Sequence, residues 1–141
     1  MKILVLCTGN SCRSQMAHGW LEHFSNDIEV YSAGTKPAEK VNPFAVQAMD
    51  RFDIDISSHL TNNVEDYRSF DFDLVLTVCD NAKESCPVVF DDVETIHESF
   101  PDPVNYDGDD DEKLEFYIQV STGIRDWIKI LLTEKGLIKD N

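Results

Sequence analysis

Short apolar runs alternate with amphipathic segments along most of the chain. Lys2 to Leu6 and Leu74 to Val78 are rich in Ile, Leu and Val, which is typical of strands buried on both faces of a sheet. Ile28 to Ala33, which Gly34 follows, and the weaker run Glu94 to His97 predict two further strands.

Three other segments have helical periodicity. Apolar residues recur every three or four positions from Ser14 to Phe24. Asn42-Pro43, an N-cap followed by proline, opens a second helix that we expect to continue through Phe52. A long amphipathic helix near the end of the chain is predicted from the spacing of Leu114, Tyr117, Val120, Ile124, Trp127, Ile128 and Leu131.

This alternation of strands and helices predicts an α/β fold with a parallel sheet and helices on both faces. The sequence contains no repeat or linker, so residues 1–141 are expected to form a single domain. In such sheets, ligands bind beyond the carboxyl ends of the strands. Cys7, Cys79 and Asp102 each follow a predicted strand, and we expect them to share one rim of the sheet.

The charge of the chain is strongly negative. Its 27 acidic and 12 basic residues give a formal net charge of −15, which repels nucleic acid and anionic membranes. Neither is expected as a partner. Because no apolar run has the length of a membrane span or of a signal peptide, we expect a cytoplasmic protein. The acidic run from Asp107 to Glu112 is interpreted as a solvated loop.

The four cysteines are Cys7, Cys12, Cys79 and Cys86. In a cytosolic protein, cysteines are more often buried, catalytic or metal-binding than joined in structural disulfides. Their C-x4-C and C-x6-C spacings do not match the close pairs of structural zinc sites, so no metal and no other cofactor is expected. The histidines are expected to be surface or hydrogen-bonded groups: His18, His23, His59 and His97.

The loop between the first strand and the first helix has the features of an oxyanion site. Successive N–H groups can curl into a nest at the helix N-terminus, where the helix dipole adds positive potential. Gly9 and Asn10 tolerate the positive φ values that a tight loop often requires. The residues expected to hold the oxyanion are Thr8, Gly9, Asn10, Ser11, Cys12 and Arg13.

The same loop would activate Cys7. Positive potential at a helix N-terminus, together with a hydrogen bond from Ser14, favours the thiolate form of a cysteine. Arg13 offers two N–H groups in one plane, which suits arsenate, phosphate or sulfate. The alternative from the residues alone is a buried cysteine and a surface arginine that share no site.

The segment from Cys7 to Ala17, CTGNSCRSQMA, resembles the C-x5-R-S signature of low-molecular-weight tyrosine phosphatases and of the thioredoxin-coupled arsenate reductases in the same superfamily. Residues 31–34, 42–43 and 54–57 also resemble the reductases. The resemblance extends from Met1 to about Pro103 and resumes near residues 125–126. It implies a four-stranded parallel sheet with strand order 2-1-3-4.

Residues 77–87, TVCDNAKESCP, resemble the reductases' resolving-cysteine segment. The resemblance implies that Cys7 attacks arsenate and that Asp102 protonates the leaving oxygen. Cys79 would then attack Cys7 and release arsenite, and Cys86 would take over Cys79, leaving a disulfide that thioredoxin reduces. In the implied strand order, Cys7 and Cys79 end neighbouring strands about 4.8 Å apart, so they can bond after a modest movement.

Two other functions stay open. One is a phosphatase that hydrolyses phosphate monoesters through a phosphocysteine at Cys7, although the sequence lacks a pair of tyrosines after Asp102. The other is a thiol sensor or oxyanion-binding module without catalysis. His18 and Asn62 stand where some reductases have carboxylates that help to hold potassium, so the resemblance does not imply a potassium requirement. Residues 80–85 are expected to be helical when reduced and to unwind when Cys79 and Cys86 bond.

Overall fold

The computed structural model describes residues 1–79 and 93–138. Its four parallel strands are β1 (Lys2–Cys7), β2 (Glu29–Gly34), β3 (Leu74–Thr77) and β4 (Glu94–His97). They lie in the order β2-β1-β3-β4. The predicted parallel sheet with strand order 2-1-3-4 is therefore confirmed.

Helices cover one face of the sheet. The α-helices are α1 (Arg13–Phe24), α2 (Pro43–Asp50) and α3 (Asp110–Glu134), and both α1 and α2 contact α3. Their apolar side chains form a buried cluster with alternate residues of the central strands. The strand residues in that cluster are Ile3, Val5, Cys7, Leu74 and Leu76.

The opposite face packs against a 3-10 helix, Val64–Tyr67. Leu4, Leu6 and Val75 point to this side, as the period of two along a strand requires. The predicted covering of both faces is thus found. Across residues 1–79 and 93–138, no helix combines the length and the apolar character needed to cross a membrane.

The acidic run is not wholly a loop, and our interpretation of it was wrong at its second half. The helix α3 begins at Asp110, with Asp109 as its N-cap. The Asp109 carboxylate accepts the N–H of Glu112 at 2.9 Å, and the Glu112 carboxylate accepts the N–H of Asp109 at 3.2 Å. This reciprocal pair, with acidic side chains in the first turn, satisfies free N–H groups and complements the helix dipole.

The helix α2 ends at Asp50, two residues before the predicted end at Phe52. The chain turns there because Asp53 adopts a left-handed conformation with φ of 60°. The N–H of Ile54 then bonds back to the carbonyl of Met49 at 3.1 Å, which closes the helix.

Candidate active site

Cys7 is the last residue of β1 and is buried. Its Sγ accepts the N–H of Asn10 at 3.2 Å and lies 3.0 Å from Oγ of Ser14. Because Nδ2 of Asn10 donates to Ser14 Oγ at 2.7 Å, the serine hydroxyl can direct its own proton to the sulfur. The sulfur can thus accept two hydrogen bonds, one from the backbone of Asn10 and one from the hydroxyl of Ser14.

Asn10 holds the loop in shape. It is fully buried and has φ of 51°, which is the left-handed conformation expected for this loop. Its side-chain oxygen accepts the N–H of Asn62 at 2.8 Å, so both ends of the amide are bonded. Gly9, which would also tolerate positive φ, does not adopt it.

The carbonyl groups of the loop all point away from its interior. Those of the five residues from Thr8 to Cys12 accept hydrogen bonds at 2.9–3.0 Å from groups outside the loop. The donors, in the same order, are Lys36 N, Ala38 N, Gln15 Nε2, Asn42 N and Met16 N. No described peptide bond is cis, and a trans peptide directs its N–H opposite to its C=O. The N–H groups of residues 9–13 therefore face inward, as that of Asn10 does toward Cys7.

The N-terminus of α1 adds to this positive interior. Within the part of the chain that the structure describes, α1 has neither a side-chain cap nor an acidic residue in its first turn. The other two α-helices have side-chain caps, from Asn42 and Asp109. The N–H groups of the first turn and the dipole of α1 can therefore serve an external anion.

Arg13 and Asp102 complete the rim. Arg13 is buried, with Nη1 donating to the carbonyl of Phe100 at 3.2 Å and Nη2 3.5 Å from Oδ2 of Asp102. The other carboxylate oxygen of Asp102 accepts the N–H of Val104 at 3.1 Å and caps a 3-10 helix, Pro103–Asn105. The side chain of Asp102 is 32% exposed, so it can meet both solvent and a bound oxyanion.

Cys79 lies one residue beyond Val78, which is the residue opposite Cys7 on the neighbouring strand. Leu6 pairs with Thr77, and the N–H of Val78 continues the ladder to the carbonyl of Leu6 at 3.0 Å. Continued by one residue, this register sets Val78 opposite Cys7. Cys79 is buried in the same apolar cluster as Cys7.

The described cysteines differ in state. Cys79 is disulfide-bonded, whereas Cys7 and Cys12 are free thiols. Cys86 lies outside the described residues, and so does the segment 80–85 that we expected to be helical.

Cys12 is buried against α3, with its Sγ 3.8 Å from Oη of Tyr117. Burial raises the pKa of Cys12 to about 11, and hydrogen bonds with Ser11 and Tyr117 offset only part of this effect. The thiol is therefore neutral at physiological pH. The backbone of Cys12 nevertheless belongs to the nest, because its carbonyl accepts the N–H of Met16 and points away from the loop interior.

Gly34, at the end of β2, lies directly beneath the loop. A Cβ atom there would be 2.4 Å from the carbonyl oxygen of Thr8 and 3.0 Å from the nitrogen of Asn10. A residue without a side chain is therefore needed for the strand to approach the loop. The sequence signal was a glycine at a strand end, but the sequence alone did not relate it to the site.

The chain matches the family model described as low molecular weight phosphotyrosine protein phosphatase over residues 2–140. It is 41% identical over 128 residues to an arsenate reductase of Bacillus licheniformis, a match that covers 90% of this chain and 91% of that protein. A solved arsenate reductase in a phosphate-binding state has a TM-score of 0.73 and 28% identity, covering 94% of this chain and 97% of that one. A thioredoxin-dependent arsenate reductase of Corynebacterium glutamicum shares the fold, with a TM-score of 0.64 and 24% identity over 94% of this chain and 62% of that one.

Proposed function

The chain belongs to the low molecular weight phosphotyrosine protein phosphatase family. Within this family, we propose that it is an enzyme that reduces arsenate to arsenite. The proposal draws its substrate from relatives such as the 41% identical arsenate reductase of Bacillus licheniformis. Its chemistry rests on the loop around Cys7 and on the position of Cys79. Because reduction of a disulfide by a thioredoxin needs a reducing compartment, we place the reaction in the cytoplasm.

In the first step the loop holds arsenate and Cys7 attacks it. The inward N–H groups and Arg13 bind the oxygens, and the thiolate forms a sulfur–arsenic bond. One oxygen leaves as water, with a proton from Asp102. Asp102 already lies beside Arg13, at 3.5 Å, so an oxyanion held by Arg13 is within reach of its carboxyl group.

In the second step the thiolate of Cys79 attacks the sulfur of Cys7. A Cys7–Cys79 disulfide forms and the sulfur–arsenic bond breaks, so that its electron pair stays on arsenic, which leaves as arsenite. The thiolate of Cys86 then attacks Cys79 and returns Cys7 to its thiolate form. Two thiols of thioredoxin reduce the resulting Cys79–Cys86 disulfide, and they supply the two electrons that arsenic gains.

The observation that carries this proposal is the position of Cys79. A phosphatase needs the loop, Arg13 and Asp102, but it has no use for a cysteine beside the nucleophile at the end of the neighbouring strand.

The proposal is tested by arsenate-dependent oxidation of NADPH in the presence of thioredoxin and thioredoxin reductase. We expect turnover by the wild type and none by Cys79→Ala. Hydrolysis of an aryl phosphate without consumption of thiol, in place of arsenate reduction, would instead assign the chain to the phosphatases. Binding of phosphate with neither activity would leave a sensor or an oxyanion-binding module.

A further inference from the structure

Two histidines and a glutamate converge on the outer side of α1. His18 and Glu22 lie one turn apart on this helix, and His59 reaches them from the segment that follows Ile56. Oε1 of Glu22 is 3.4 Å from Nε2 of His18 and 3.8 Å from Nε2 of His59. One nitrogen or oxygen atom from each of the three side chains lies within 4.8 Å of the other two.

The proton on His59 is fixed by its neighbour Gln15. The amide nitrogen of Gln15 donates to the carbonyls of Asn10 and Leu60, at 3.0 and 3.1 Å, so its oxygen must face His59. That oxygen lies 2.9 Å from Nδ1 of His59 and can only accept. Nδ1 therefore carries the proton, and in the neutral ring the lone pair of Nε2 faces the carboxylate of Glu22.

The ring of His18 is held in a similar way. Its Nδ1 bonds to Oγ of Ser32 at 3.0 Å, which leaves Nε2 directed at Glu22. A ring nitrogen of each histidine and a carboxylate oxygen of Glu22 therefore face one another, and each of the three can donate an electron pair to a metal ion. An oxygen bonded to the second nitrogen of each ring is also the usual support of a histidine that binds metal.

We propose that His18, Glu22 and His59 bind a divalent first-row transition-metal ion, best fitted by Zn²⁺, with water as the fourth ligand. Two imidazoles, a carboxylate and a water form a common four-coordinate zinc set. Bonds of about 2.0–2.1 Å at tetrahedral angles separate ligand atoms by about 3.3 Å. The two observed distances to Glu22, 3.4 and 3.8 Å, exceed this value by about 0.1 and about 0.5 Å.

The surroundings suit a cation that enters from solvent. The two imidazoles are 16% and 17% exposed, while Glu22 is 54% exposed and borders a cavity of about 250 Å³. Asp55 adds a second negative charge near His59. The ion would therefore be attracted electrostatically and held by side chains whose rings are already oriented.

A bound ion would also support the loop of the candidate active site. It would fix His59, whose partner Gln15 holds the carbonyl of Asn10, and the N–H of Asn10 donates to Cys7. The metal would not touch the nucleophile, and the proposal does not depend on the reaction that Cys7 performs.

Calorimetric titration with ZnCl2 tests the site. We expect the wild type to bind one zinc ion per chain. The zinc affinity of His18→Gln and of His59→Gln should each be about tenfold to a hundredfold lower. His23→Gln is the matched control, because His23 is an exposed histidine on the same helix outside the cluster, and it should bind as the wild type does. Unchanged affinity in both ligand variants, or no binding by the wild type, would overturn the proposal.

The cysteines of the chain could bind zinc instead of the two histidines. Two measurements on the wild type distinguish these ligands, and neither depends on the folding of a variant. Co²⁺ should give visible absorption without the sulfur-to-metal charge-transfer band that thiolate ligands produce. Anomalous scattering at the zinc edge should place the ion between His18, Glu22 and His59. A charge-transfer band, or an ion located at a cysteine, would refute the site.

Discussion

The N–H of Asn10 donates to the sulfur of Cys7 at 3.2 Å from a residue whose φ is 51°. The left-handed turn at Asn10 brings this N–H back toward the end of β1. The side chain of Asn10 then fixes the turn, since it donates to Ser14 and accepts from the N–H of Asn62. One asparagine thus joins the shape of the loop to the environment of the nucleophile.

Asn10→Ala should lower the free energy of unfolding by about 2–4 kcal/mol, because two buried hydrogen bonds are lost and because positive φ is less favourable for alanine than for asparagine. Asn10→Gly is the matched control, because it loses the same hydrogen bonds but tolerates this φ. It should be about 1 kcal/mol more stable than the alanine variant in urea denaturation. Equal stability of the two variants would mean that backbone strain is not released at this position.

Gly34→Ala should displace the loop, because the added Cβ would lie 2.4 Å from the carbonyl oxygen of Thr8. We expect a loss of about 1–3 kcal/mol in stability and a fall in kcat/KM on the order of 10²-fold. Gly123→Ala is the control: its Cβ would meet the ring of Phe100 at an ordinary 3.6 Å, and it should be neutral or stabilising by about 1 kcal/mol. Full activity of Gly34→Ala would show that the loop can adapt.

Cys12 should resist alkylation in the folded chain. Burial disfavours the thiolate and raises the pKa to about 11, so at pH 9 about 1% of Cys12 is ionised, against about three-quarters for an exposed thiol of pKa ~8.5. Iodoacetamide at pH 9, followed by peptide mapping, should label Cys12 slowly when the chain is folded and fast in urea. Reactivity should rise as the pH approaches 11. Fast labelling of the folded chain at pH 9 would contradict the buried, neutral thiol.

Asp102→Asn should lower kcat by about 10²–10⁴-fold, which is the usual contribution of a general acid. The asparagine oxygen can still accept the N–H of Val104, so the 3-10 helix should keep its cap. Phosphate affinity should stay the same or increase, because a negative charge beside Arg13 is removed. Asp107→Asn, an exposed residue outside the site, is the control. An unchanged kcat in Asp102→Asn would mean that another group supplies the proton.

The strands could be predicted from sequence because β1 and β3 are buried on both faces, which produces unbroken runs of Ile, Leu and Val. The start of α3 could not be predicted from hydrophobic periodicity, since its first turn is capped by polar groups alone. The pair Asp109 and Glu112, three residues apart, was a capping signal that the surrounding acidic residues obscured.

Some contacts of the functional residues could likewise be predicted from the sequence, and others could not. Cys7 and Arg13 are close in sequence and belong to one loop, so their meeting follows from local structure. The meeting of His18 and His59 depends on how the segment after α2 returns across α1, which no local pattern encodes. The need for glycine at position 34 depends equally on a tertiary contact, the approach of β2 to the loop.

The most direct test of the relay is to stop it halfway. In Cys86→Ala, one equivalent of arsenate should release one equivalent of arsenite and leave a Cys7–Cys79 disulfide, detectable by peptide mass spectrometry under acid quench. Thioredoxin-coupled turnover of this variant should be absent, while its hydrolysis of aryl phosphate should persist. If Cys86→Ala turned over arsenate normally with thioredoxin, or released arsenite without a Cys7–Cys79 disulfide, the proposed mechanism would be wrong.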